Sequence, residues 1–163
     1  MAPVEKAPRV ELDVTGRTFA ENMKRIRVAR GMSLRELEEL LNELGHGIAH
    51  SGLSKIENTT RRVDVDDLVA IALALNVSPL ALLLPDKRDP EAIAKITGTS
   101  ATIGELWYWA QGNSPLPHDV GVEKHGEHET WTPEGYVARS QDFLELASPW
   151  WQQRPRQDSD GVD

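Results

Sequence analysis

Apolar side chains between residues 18 and 84 recur at three- and four-residue steps, the spacing that places them on one face of an α-helix. The first predicted helix spans about residues 19 to 30. Thr18 and Glu21 have the spacing of a capping box at its start, and Gly31 can adopt the left-handed conformation that ends a helix. The apolar face of this helix consists of Phe19, Met23 and Ile26.

A second helix is predicted directly after the first. Ser33 and Glu36 repeat the capping pattern, and the apolar stripe ends at Gly45, where polar and glycine residues predict a turn before Ser51. The stripe consists of Leu34, Leu37, Leu40, Leu41 and Leu44.

The third predicted helix is short. Leu53 and Ile56 are three residues apart, so both can face the interior. The side chains that this arrangement leaves mostly outward are those of His50, Ser51, Ser54, Lys55 and Asn58.

Two more helices complete the predicted core. Asp64 can cap a fourth helix, and Ser78 with Pro79 supplies a cap and a first helical residue for a short fifth helix that ends before Pro85. The fourth helix has the strongest periodicity in the chain, and its predicted inner face consists of Val65, Leu68, Val69, Ala72 and Leu73. The fifth contributes Leu80, Leu83 and Leu84. Five helices with short connections predict a small all-α core.

The order and spacing of these helices resemble the Cro/C1-type (XRE-like) helix-turn-helix family of bacterial and phage transcriptional regulators, over about residues 18 to 84. The most specific parts are the segments 53–58 (LSKIEN) and 67–83. In that family the second helix of the motif enters the major groove of DNA. The resemblance therefore implies base contacts from His50, Ser51 and Lys55.

The same resemblance implies further roles in this chain. Phosphate or other DNA contacts are expected from Ser54, Asn58, Arg61 and Arg62. A structural ion pair is expected between Arg27 and Glu57, which match a family arginine and acid.

Two departures from the family pattern alter these expectations. Residues 43–50 look like an insertion that lengthens the second helix or the turn after it, and Leu34 stands where many relatives have a polar phosphate contact. The positions of His50 and Ser51 on the third helix therefore depend on how the extra residues are accommodated.

The net charge of -8 argues at first against a DNA partner, but the acidity is concentrated in the second half of the chain. Residues 16–84 carry nine basic and nine acidic side chains, whereas residues 85–163 carry seven basic and fourteen acidic ones. The predicted domain is thus neutral. A local basic patch is expected from Arg25, Arg30, Lys55, Arg61 and Arg62.

The remainder of the chain divides by composition. Residues 1–15 are predicted to be a flexible arm, 85–99 a linker, 100–151 a helical extension and 152–163 a disordered tail. Lys6 and Arg9 give the arm an alternative role in touching DNA.

The predicted extension contains two helices, one starting at Thr102 with Glu105 and ending at Gly112, and one starting at Thr132 and Pro133. Three adjacent aromatic residues of the first helix can dock on the core or on a second subunit, and the alternative is a small-molecule pocket. They are Trp107, Tyr108 and Trp109.

A loop between these two helices carries three histidines that invite a metal hypothesis, but their spacing matches no metal motif and favours solvated side chains. They are His118, His125 and His128. No metal site is therefore predicted.

The function that these observations favour is a sequence-specific transcriptional regulator, a repressor or an activator, that binds double-stranded DNA as a homodimer. The alternative is a protein-interaction module, an antitoxin or an adaptor, that uses the acidic aromatic extension. No nucleophile constellation or phosphate-binding glycine loop is present in the sequence, so neither an enzyme nor a cofactor is expected. A chain without cysteine, leader or apolar span is expected in the cytoplasm rather than in a membrane. A small-molecule effector has no support in the sequence.

Overall fold

The computed structural model of the protein describes residues 11–116 and 143–147. In chain order its elements are α1 (Val14–Ala29), α2 (Leu34–Glu43), α3 (His50–Glu57), α4 (Val65–Ala74), α5 (Pro79–Leu83), β1 (Ile93–Ile96), β2 (Thr99–Thr102) and α6 (Ile103–Ala110). Residues 143–147 are also helical. The predicted all-α class is confirmed, with one small two-stranded sheet added to it.

The chain divides into two compact units between Ile103 and Gly104. The core of the first unit is formed by apolar side chains from α1 to α5. Its largest fully buried members are Met23, Leu37, Leu41, Leu53, Ile56, Ile71, Leu75 and Leu82. In the second unit, Leu106 of α6 is fully buried.

Helix α1 begins five residues earlier than predicted. Asp13, and not Thr18, is its cap, because the Asp13 carboxylate accepts a hydrogen bond from the Val14 amide at 2.6 Å. Thr18 and Glu21 therefore lie inside the helix. An aspartate can satisfy the free amides of a helix start as well as a threonine can, so the sequence contained two competing start signals. The predicted inner face of Phe19, Met23 and Ile26 is buried.

The predicted caps of α2 and α5 are present. Ser33 and Glu36 form a reciprocal capping box, in which the Ser33 amide donates to the Glu36 carboxylate at 2.7 Å and the Glu36 amide donates to the Ser33 hydroxyl at 3.2 Å. These hydrogen bonds lower the pKa of Glu36. Ser78 caps α5, whose first residue is Pro79.

The predicted inner face of α4 was mostly wrong. Val65, Val69 and Leu73 are exposed, and among the five predicted residues only Ala72 is fully buried. The residues that α4 buries are Asp67, Ala70, Ile71 and Ala72. From Leu68 to Leu75 every residue is apolar, so periodicity cannot identify the face that packs. The buried face of α4 is the one that packs against α2 and α5.

The extra residues between the second and third predicted helices form a turn and do not lengthen α2. Helix α2 ends at Glu43 and α3 begins at His50. Gly45 takes a left-handed conformation with φ 77° at the end of α2. Ile48 is buried in the core, and a Cβ atom at Gly47 would collide with the Asn42 side chain. The longer connection is therefore an ordered part of the domain.

The β-hairpin was not anticipated, since residues 85–99 were expected to form a linker. Strands β1 and β2 are antiparallel, with Ala94 opposite Ala101 and both buried. The amide of Thr97, in the turn between the strands, donates to the Thr15 hydroxyl of α1 at 2.9 Å. Each strand has only four residues, too few for alternation to be distinguished from a loop in the sequence.

Helix α6 follows Thr102 as predicted, and Gly112 has the left-handed conformation expected after its end, with φ 75°. Several predictions lie outside the described residues. They concern the arm residues Lys6 and Arg9, the histidines His118, His125 and His128, the helix start at Thr132 and Pro133, and the tail 152–163.

The end of α3 contains a backbone conformation that is unusual for its residue type. Thr59 has φ 59°, a left-handed value that β-branched residues rarely adopt because the Cβ atom crowds the backbone. The conformation lets the amide of Thr60 donate to the Lys55 carbonyl at 2.9 Å, which closes the helix. The C-terminal end of α3 thus stores conformational strain.

We predict that Thr59→Gly raises the free energy of unfolding by about 0.5 to 1 kcal/mol, because glycine removes the left-handed penalty but adds freedom to the unfolded chain. Urea denaturation measures the change. Asn76→Gly is the matched control: Asn76 also has a left-handed φ, of 47°, but asparagine tolerates it. A smaller gain at Thr59 than at Asn76 would contradict the strain.

Candidate nucleic-acid interface

The outer face of α3 is polar and accessible. His50, Ser51, Lys55 and Asn58 are exposed and Ser54 is partly exposed, while Leu53 and Ile56 are buried. Since successive helical residues turn by about 100°, these five polar side chains fall within about 140° of the helix circumference. Among the described residues, the Lys55 side chain makes no ion pair or hydrogen bond. The lysine ammonium is therefore available to an external acceptor.

The N-terminal end of α3 is open as well as exposed. Its cap residue, Ala49, provides no side-chain hydrogen bond to the first helical amides. Unpaired amides at a helix start carry partial positive charge and favour anions. The amides of His50 and Ser51 thus add to the positive character of the face that Lys55 dominates.

A bidentate ion pair holds the inner side of α3 against α1. Arg27 donates from Nε to Glu57 Oε1 at 2.7 Å and from Nη2 to Glu57 Oε2 at 2.9 Å. Its Nη1 donates to the Met32 carbonyl at 2.7 Å. The side chains are only 12% and 6% exposed. Hydrogen bonding to Glu57 raises the pKa of Arg27 despite the opposing effect of burial, so the arginine is charged.

A second polar cluster brackets α3 at both ends. Asp67 of α4 is buried, and its carboxylate contacts His46 Nε2 at 2.9 Å and accepts from Arg61 Nη2 at 2.7 Å. His46 lies in the connection before α3, and Arg61 lies in the loop after it. A Cβ atom at Gly52 would come within 2.8 Å of Arg61 Nη1, so a larger residue there would displace the guanidinium that lies against the helix.

Sequence reasoning missed His46 and Asp67. The sequence analysis assigns no partner to either residue and includes position 67 only in the segment 67–83 that carries the family resemblance. The available signal was an acid three residues after the cap Asp64, followed by an uninterrupted apolar run. An acid at that position faces either solvent or the interior, and a buried acid requires partners.

The residues expected at phosphates differ in how far they are engaged. The Asn58 side-chain amide donates to the Ser54 carbonyl at 2.8 Å, and Arg61 is paired with Asp67. Arg62 is exposed, donates to the backbone carbonyl of Glu11 at 3.2 Å and makes no ion pair with a carboxylate of the described residues. Arg62 therefore retains the most positive character among the expected phosphate contacts.

Two members of the predicted five-residue basic patch, Arg25 and Arg30, interact with residues outside it. Arg25 contacts Asp86 at 3.1 Å, and Arg30 donates to the Asn76 carbonyl at 3.1 Å. Arg25 stands two residues before Arg27, about 200° away around α1, whereas Arg27 is the residue that faces α3. The positive groups around α3 are thus Lys55, Arg61 and Arg62.

Comparisons with known proteins found a family model and a solved structure that this chain is similar to. Residues 23–82 match the helix-turn-helix family model. One solved structure similar to this chain is a hypothetical transcription factor, NHTF, from Neisseria, with 24% identity and a TM-score of 0.40 over 50% of this chain and 88% of that one. No curated protein matches significantly.

The segment 23–82 is a helix-turn-helix domain of the Cro/C1 type. It contains α2 and α3, the two helices on either side of the lengthened turn. No helix among the described residues is long and apolar enough to cross a membrane.

We predict that Arg27→Ala lowers the free energy of unfolding by about 3 to 5 kcal/mol, because it leaves the buried Glu57 carboxylate without its counter-charge. Chemical denaturation of the full chain measures the loss. Arg35→Ala is the control: Arg35 faces Glu39 at 3.9 Å on the surface of α2, and exposed pairs contribute about 0 to 1 kcal/mol. Equal effects of the two substitutions would show that the buried pair does not hold α3.

Proposed function

We propose that this protein is a sequence-specific transcriptional regulator from a bacterium or phage, acting as a repressor or an activator by occupying an operator. The observation that carries the proposal is the polar outer face of α3, accessible on a helix whose inner side is fixed by Leu53, Ile56 and the Arg27–Glu57 pair. A rigid helix with projecting donors fits the major groove, which is wide enough to admit an α-helix.

Base reading is assigned to His50, Ser51 and Lys55. Lysine donates to the O6 and N7 acceptors of guanine, whereas serine pairs with several bases and discriminates weakly. Lys55 supports this role best, because its exposed ammonium has no competing partner among the described residues. His50 and Ser51 lie in the first turn of α3, the part of a recognition helix that contacts base edges.

Phosphate contacts are assigned to Ser54, Asn58, Arg61 and Arg62. Arg62 is the principal cation in this assignment, since no carboxylate neutralises it in the described part of the chain. Arg61 lies beside Gly52 and is paired with the Asp67 carboxylate. It therefore adds less net positive charge to this surface than Arg62 does, and its pairing helps to fix the loop after α3. Phosphate contacts fix register on the duplex without reading sequence.

A homodimer is the expected binding form, because helix-turn-helix proteins commonly occupy two half-sites one turn of DNA apart. A dimer that neutralises about six phosphates has a slope of roughly -5 for log K against log salt. Such a regulator acts in the cytoplasm, where bacterial and phage DNA is transcribed.

We predict that Lys55→Ala and Arg62→Ala weaken DNA binding in different ways. Sites selected from random DNA with the full chain supply the specific duplex, and a scrambled duplex supplies the reference. Lys55→Ala removes one base contact from each half-site and should reduce the specific affinity by about 1 to 3 kcal/mol per half-site while changing the scrambled affinity much less. Arg62→Ala should weaken both duplexes alike and reduce the salt slope by about one unit for each bound copy.

Fluorescence anisotropy at several salt concentrations measures both variants. Equal losses on both duplexes for Lys55→Ala would refute its base-reading role. Failure of the parent chain to enrich any sequence would refute sequence-specific binding as a whole.

The alternative function is an antitoxin or adaptor that binds another protein through its C-terminal extension. The observation that favours it is the exposure of Tyr108 and Trp109 on α6 and of Leu144 and Leu146 further along the chain, in the acidic half of the sequence. Absence of DNA binding together with capture of a basic partner by the full chain, lost in Tyr108→Ala, would support this alternative.

A further inference from the structure

Helix α4 presents an apolar ridge to solvent. Val65, Val69 and Leu73 are 74%, 49% and 63% exposed. At four-residue steps they form one continuous row about 12 Å long. Isolated exposed aliphatic residues are ordinary, whereas a contiguous apolar row on one helix is the kind of surface that can bind a partner. We name these three residues the α4 ridge.

We propose that the α4 ridge pairs with the same ridge of a second copy of this chain, with the two α4 helices antiparallel. This inference rests on the proposed function and supplies the contact for the expected homodimer. Rows of residues four apart interdigitate with each other at a crossing angle of about -50°, the commonest helix packing in globular proteins. A two-fold axis at Val69 places Val65 of one copy against Leu73 of the other.

In the antiparallel orientation, the acidic group beside the ridge of one copy lies near the basic group beside the ridge of the other. Asp66 stands about 20° around the helix from Leu73; it is exposed and makes no ion pair among the described residues. Arg30 is exposed at the opposite end of α4, where it donates to the Asn76 carbonyl at 3.1 Å. Antiparallel pairing brings Asp66 of each copy towards Arg30 of the other. Parallel pairing would bring acid to acid.

The helix dipoles favour the same orientation, since antiparallel helices place the positive end of one beside the negative end of the other. Symmetric self-complementarity of both shape and charge is the property of an isologous two-fold contact. These features commit the ridge to a second copy of the chain rather than to an unrelated protein.

The size of the ridge sets the strength of the pairing. Stable complexes bury about 800 Å² on each partner, and three aliphatic side chains with flanking charges supply only part of that area. The free protein should therefore dimerise weakly. Two half-sites on one duplex hold the copies at high effective concentration, which strengthens the same contact.

Sedimentation velocity of the full chain, from micromolar to near-millimolar concentration, tests the pairing directly. The parent should shift from monomer to dimer, and Val69→Asp should stay monomeric, because it places two carboxylates on the symmetry axis. Ile93→Asp is the matched control, since Ile93 is also an exposed aliphatic residue but lies on β1. It should dimerise like the parent. Thermal melting checks that each variant is folded.

A charge exchange tests the orientation. Asp66→Arg and Arg30→Glu should each weaken dimerisation, and the double variant should restore it. Dimerisation of Val69→Asp at parental strength would overturn the proposal and assign the contact elsewhere, for example to residues 104–163. A parent that remains monomeric throughout the concentration range and on DNA with two half-sites would overturn it too. Lack of rescue in the double variant would overturn the antiparallel arrangement.

DNA binding is measured separately, on duplexes with one selected half-site and with two. Val69→Asp should keep the parental affinity for one half-site and lose about tenfold or more on two. Failure of the α4 pairing thus leaves half-site binding intact. If the proposed function is wrong, the parent chain itself does not bind a half-site, whether it is a monomer or a dimer.

Discussion

The orientation of α3 depends on the buried pair between Arg27 and Glu57. Removing two charges from water costs several kcal/mol per ion unless the remaining hydrogen-bonding capacity is satisfied. Arg27 satisfies it by donating to both Glu57 oxygens and to the Met32 carbonyl. Rotation of α3 about its axis would break both hydrogen bonds between Arg27 and Glu57 together. The pair therefore determines which side chains of α3 reach solvent.

The neutral charge of the domain conceals an uneven distribution of free charge. Several acidic side chains already form hydrogen bonds or ion pairs within the domain, as helix caps, in a capping box or with partly buried cations. They are Glu36, Glu57, Asp64 and Asp67. Lys55 has no such commitment in the described part of the chain. A balance of zero is thus compatible with a locally positive surface at α3, because the Lys55 ammonium has no carboxylate partner among the described residues.

The extra residues before α3 have a structural consequence that extends across the motif. They bring Ile48 into the core and His46 to the Asp67 carboxylate, which also holds Arg61 from the far side of α3. One buried carboxylate on α4 thereby links the segments that enter and leave the helix. The lengthened turn is compatible with a fixed α3 because it gains its own buried and hydrogen-bonded contacts.

The sequence by itself determined the order of the five helices, the caps at Ser33 and Ser78 and the inward positions of Leu53 and Ile56. These features depend on local hydrogen bonding and on helical periodicity, which neighbouring residues encode. Only the tertiary structure decided which face of α4 is buried, since its apolar run offers every face equally. Tertiary contacts likewise decided the partners of Asp67 and Arg61 and the hairpin beside α1, because each joins segments whose proximity no local pattern records.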